Sequence, residues 1–96
     1  MSKSKMILSA KSNLAYMMHM LDEDILKFDN DLFVKSWRDK IIGAAMVLHW
    51  CDILTEEEFD MINICIPFNK KEYNALKNEF VRVYKYLGGE YLESMD

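Results

Sequence analysis

The sequence contains few residues that break helices: three glycines and one proline in a chain of 96 residues. A β-rich fold with many tight turns needs more of both, so their scarcity favours long helices. Hydrophobic residues make up 51% of the chain and charged residues 29%, a balance that argues against intrinsic disorder. A chain of this length is expected to form one domain with a thin core. We therefore expect a single helical domain over residues 1–96.

Cysteines and long apolar segments are also scarce. Cys51 and Cys65 are too few for a disulfide scaffold, and we expect them to be reduced thiols. The longest apolar stretch, 41–48, is far shorter than the roughly 20 residues of a membrane-spanning helix, and no secretory signal pattern is evident. These absences predict a cytoplasmic protein without a membrane partner. The net charge of −4 disfavours general binding to nucleic acids.

Apolar residues with helical spacing predict two long helices in the first half of the chain. The first covers about residues 5–21, and the second, expected to be the longest, covers about residues 32–51. The second half of this second helix is apolar on nearly every side, which is typical of a helix at the centre of a fold. Gly43 weakens the helix there, so we expect a neighbouring helix to pack closely against it.

Two shorter helices are predicted after residue 54, and no stretch alternates in the manner of a strand. The third begins at the capping box Thr55-Glu56-Glu57-Glu58 and ends before Pro67, which disfavours helical geometry in the residue before it. The fourth is capped by Asn69 and ends at Gly88. It carries an apolar stripe that is expected to face the core: Tyr73, Leu76, Phe80, Val83, Tyr84 and Leu87. The fold class predicted is all-α: a small four-helix bundle with one long central helix and a helical hairpin after it.

Motifs for catalysis and cofactors are absent from the sequence. It has neither a Gly-x-Ser-x-Gly elbow nor a glycine-rich phosphate loop, so we assign no catalytic residue and no cofactor and expect a protein that is not an enzyme. The acids of segment 22–31 fail the spacing of a calcium loop, because the sixth and twelfth positions counted from Asp29 are Val34 and Lys40. Solvated helix caps explain these acids better.

A zinc site is also disfavoured. His49 and Cys51 point to different sides of one helix, so a metal would need His19 and Cys65 to converge on them. We expect no metal site; the favoured alternative is that both cysteines are buried as small hydrophobic residues.

Several apolar residues lie off the predicted core faces, and eight methionines supply side chains that can adapt to a partner. Burial of a central helix on two sides explains some of them, but it explains Tyr16, Met20 and Trp50 less well. We therefore favour an interface with a protein target or a second copy of the chain. Acids at Glu56, Glu57 and Asp60, and in segment 22–31, are suited to steering the chain towards a basic surface.

One face of the fourth helix is basic, which supports an alternative function. Such a face is typical of helices that contact DNA phosphates, and equally of an ordinary solvated surface. The alternative is a small dimeric DNA-binding regulator that uses this face. Its residues are Lys70, Lys71, Asn74, Asn78, Arg82 and Lys85.

Three segments between residues 38 and 59 resemble small helical accessory proteins of phages and mobile elements of low-GC bacteria. They are Arg38-Asp39-Lys40, Ile42-Gly43-Ala44-Ala45 and Leu54-Thr55-Glu56-Glu57-Glu58-Phe59. The resemblance covers under a quarter of the chain. It implies a stoichiometric inhibitor of a host machine, such as an anti-CRISPR protein acting on a CRISPR nuclease. No functional residue is carried over from that class.

Overall fold

The computed structural model describes residues 3–27 and 30–88. In these residues the chain forms four helices and no strand. They are α1 (Lys3–Asp24), α2 (Asp31–Trp50), α3 (Glu56–Cys65) and α4 (Lys70–Gly88). The prediction of a small all-α four-helix bundle is confirmed.

The helices pack as a ring in chain order rather than around one central helix. The most extensive contact joins α1 to α4, and smaller contacts join α1 to α2, α2 to α3 and α3 to α4. The helix placed at the centre by the sequence, α2, has 20 residues against 22 in α1 and is therefore not the longest. It buries fully only Val34, Ile41 and Ala45. Its second half is apolar all round, but the bundle covers only one side of it.

The core lies mainly between α1 and α4. From α1, Leu14 and Met18 are almost completely buried. From α4, Phe80 packs edge-on against Tyr73 and Tyr84, with ring centroids 6.2 Å and 5.7 Å away. Such edge-to-face pairs add stabilisation to the burial of the rings. The apolar stripe predicted for α4 is thus confirmed as core.

Both caps read from the sequence are present. The Thr55 hydroxyl accepts a hydrogen bond from the Glu58 N–H (3.1 Å), and the Glu58 carboxylate accepts one from the Thr55 N–H (2.9 Å). This reciprocal pair is the predicted capping box. At α4, the Asn69 side chain accepts from the Glu72 N–H at 2.8 Å. Satisfied donors at both helix starts explain why these boundaries could be located.

The turn after α2 is a feature that the sequence did not reveal. Asp52 has a left-handed backbone, with φ of 60°. Its N–H donates to the His49 carbonyl (3.1 Å), and the Ile53 N–H donates to the Leu48 carbonyl (2.9 Å). These two bonds form the C-terminal cap in which glycine is the usual residue. The cap reverses the chain into α3 and places Asp52 at the surface.

Candidate protein-interaction surface

A groove separates part of α1 from α2, because these helices contact each other less extensively than α1 and α4 do. Small side chains at Ala10 and Ala44 line its walls and leave a cavity of about 390 Å³. Leu14 and Leu48 form apolar parts of the same cavity. The complete lining is Ala10, Asn13, Leu14, Met17, Ala44, Val47 and Leu48.

A second cavity lies nearer the N-terminus of α1. It has a volume of about 250 Å³ and is lined by Met6, Ile7, Cys51, Asp52 and Ile53. On α1, the lining residues recur every three or four positions, so both cavities lie along one side of the helix. From residue 6 to residue 17 this side is about 16 Å long. We call the two cavities together the α1–α2 groove.

Large apolar side chains are exposed at and beside the α1–α2 groove. Met6 of the lining is 57% exposed and Val47 is 52% exposed. Trp50, which directly precedes the lining residue Cys51, is 69% exposed. Single exposed apolar residues are common on proteins, whereas a contiguous apolar surface marks a place of contact. The α1–α2 groove is therefore the candidate site.

The three apolar residues predicted for an interface occupy separate places. Trp50 ends α2, one residue before Cys51 of the cavity that includes Met6, whereas Tyr16 and Met20 lie one turn apart on α1. Tyr16 is 39% exposed and Met20 is half-buried. Ten residues of helix between positions 6 and 16 correspond to about 15 Å. The fold therefore does not join these three residues in one cluster.

Uncompensated negative charge surrounds the connection from α2 to α3. Asp52, Glu56, Glu57 and Asp60 are exposed. None of them forms an ion pair with another of the described residues. The sequence has no lysine or arginine between positions 41 and 69, so this part of the chain itself supplies no cation to them. These acids remain available to a partner.

The other acidic segment, 22–31, is used inside the fold instead. Asp22 is half-buried and accepts hydrogen bonds from the hydroxyls of Tyr73 (2.5 Å) and Tyr84 (3.2 Å). Asp31 accepts from the Lys70 N–H at 3.1 Å, and Asp24 pairs with Lys27 within its own segment. Residue 29 lies outside the described residues. Asp22, Asp24 and Asp31 therefore have partners within the fold, and the steering role of this segment stays a prediction.

Glu58 is the one buried carboxylate among the described residues. It forms an ion pair with Lys11 of α1, with Oε2 and Nζ 2.8 Å apart. Burial by itself raises the pKa of Glu58, but hydrogen bonds from Lys11 and the Thr55 N–H, with the charge of Lys11, lower it below 4.5. Glu58 therefore links α3 to α1, whereas Glu56 and Glu57 beside it in the sequence are exposed.

The two cysteines differ in exposure, which corrects the expectation that both are buried. Cys65 is buried, and burial together with the charge of Glu79 raises its thiol pKa to about 12. Cys51 is exposed because it lies one residue beyond the last turn of α2. Across the described residues, no three histidine, cysteine, aspartate or glutamate side chains converge as metal ligands would. The His49 ring instead stacks on Phe59, with centroids 4.9 Å apart.

The basic face predicted on α4 is only partly available. Lys71, Asn74, Asn78 and Lys85 are exposed on it. Arg82 is bound to the Glu79 carboxylate, which offsets its charge. Lys70 is half-buried, and its backbone N–H is occupied by Asp31. Lys71 and Lys85 are therefore the two fully exposed lysines of the predicted face.

None of the helices in the described part of the chain is both long and apolar enough to cross a membrane. No protein-family model matches the chain, and neither a curated protein nor a solved structure is significantly similar to it.

Proposed function

We propose that the chain is a protein-binding module without enzymatic activity and that the α1–α2 groove is its contact surface. The observation that supports this most is the apolar lining along one side of α1. Two cavities lie on this side, and Met6 and Val47 of their lining are exposed, as is Trp50, which precedes the lining residue Cys51. Exposed tryptophan is typical of the residues that dominate binding energy.

Charge favours a basic target. The unpaired acid Asp52 lines one end of the α1–α2 groove, and the exposed acids Glu56, Glu57 and Asp60 follow it along the chain. Carboxylates at the rim of an interface speed association with a basic surface and contribute little once they remain solvated. A nucleic-acid channel of a host enzyme has such a surface. The resemblance to mobile-element proteins agrees with this, so the proposal includes a cytoplasmic inhibitor, for instance of a CRISPR nuclease, that occludes its target.

The test is a pull-down with the tagged chain from a bacterial lysate, with and without nuclease. We expect a stoichiometric protein partner that survives nuclease and is lost with the variants Trp50→Ala and Val47→Lys. The matched control is Tyr86→Ala, because Tyr86 is an exposed aromatic residue of α4, outside the groove. A partner retained by both groove variants would contradict the proposal.

The role of charge is tested separately by reversing Glu56, Glu57 and Asp60 to lysine and measuring the association rate with the captured partner. We expect a decrease of about 10-fold or more at low salt and a smaller decrease at physiological salt, because screening weakens rim charges. Reversal of Asp39, which is exposed and unpaired on α2, is the control. An unchanged rate would remove steering from the proposal.

The exposed residues Lys71, Asn74, Asn78 and Lys85 support the alternative of a DNA-binding regulator. That function predicts recovery that depends on intact nucleic acid and an affinity that falls steeply with salt, because each neutralised phosphate releases counterions. Recovery lost on nuclease treatment would favour the alternative.

A further inference from the structure

We draw no further inference here: the strongest candidate, the apolar groove between α1 and α2, has the exposed residues Lys5 and Asp52 with opposite charges near one end, and nothing in the structure shows what covers it.

Discussion

The two sides of α1 differ in how they meet their neighbouring helices. Towards α4, the space is filled by large buried rings, including Phe80, and the Asp22 carboxylate accepts two tyrosine hydroxyls. Towards α2, the small side chains of Ala10 and Ala44 leave a groove. The comparison teaches that one helix can stabilise the fold with one side and leave the other for recognition. Packing density, rather than hydrophobicity, distinguishes the two sides.

The largest expected effect comes from truncating the filled side. Phe80→Ala is expected to lower the free energy of unfolding by about 3–5 kcal/mol, because a fully buried ring leaves a cavity between two other rings. Urea unfolding followed by circular dichroism measures this change. Phe80→Leu, with a smaller expected loss, keeps the measurement possible if the alanine variant does not fold. The groove variant Val47→Ala is the control, expected within about 0.5 kcal/mol; an equal loss there would break the comparison.

The next largest loss of stability is expected from the hydrogen bonds between Asp22 of α1 and two tyrosines of α4. Asp22→Ala is expected to cost about 1–3 kcal/mol, because it leaves the hydroxyls of Tyr73 and Tyr84 without their acceptor. Tyr84→Phe removes only one of these two bonds and should cost less. Chemical unfolding of both variants gives the order, and a reversed order would mean that the two hydroxyls do not depend on Asp22.

The contact of α1 with α3 is expected to depend on pH. The folded-state pKa of Glu58 lies below its unfolded value, so the stabilisation is present above about pH 4.5 and is lost as the pH falls through the folded pKa. Glu58→Gln should therefore be less stable than the parent by about 1–3 kcal/mol at pH 7, with a smaller difference at pH 3. Asn69→Ala is the control, since its loss of about 1 kcal/mol comes from a cap that accepts the Glu72 N–H and does not involve Glu58. A Glu58→Gln deficit that stays constant with pH would contradict the ion pair.

The smallest expected effect is an increase in the free energy of unfolding from a substitution on α2. A Cβ atom added at Gly43 would meet no atom within 4 Å, so the close helix packing predicted at this glycine is absent. Gly43→Ala is expected to raise the free energy of unfolding by about 1 kcal/mol through helix propensity alone. Thermal or urea unfolding measures this gain. A loss of stability instead would show that α2 is packed as tightly there as α4 is.

Local signals explain which parts of the fold could be predicted from the sequence. The capping box at Thr55, the cap at Asn69 and the stripe of α4 depend on residues within one or two turns of each other. The role of Asp22 could not be predicted in this way, because its partners Tyr73 and Tyr84 are 51 and 62 residues away. A carboxylate near a helix end is also commonly a solvated cap. The residue type of Asp22 therefore did not indicate that its side chain would be half-buried.

The groove could be predicted only in part. Met6, Ala10 and Met17 follow the helical spacing of α1, and Leu48 follows that of α2, so periodicity by itself predicts that all four face the core. Periodicity does not specify which helix covers which side, nor whether small residues bring helices together or leave a gap. For the same reason, the apolar second half of α2 predicted a central helix, whereas Val47 and Trp50 face outward.

The most direct test of the account is one variant measured in two ways. Val47→Lys is compared with the parent chain for the free energy of unfolding and for affinity towards the partner recovered in the pull-down. The account predicts stability within about 0.5 kcal/mol of the parent, because Val47 is half exposed, together with loss of partner binding. Undiminished binding, or a loss of stability comparable to that of Phe80→Ala, would contradict the division of α1 into a stabilising side and a binding side.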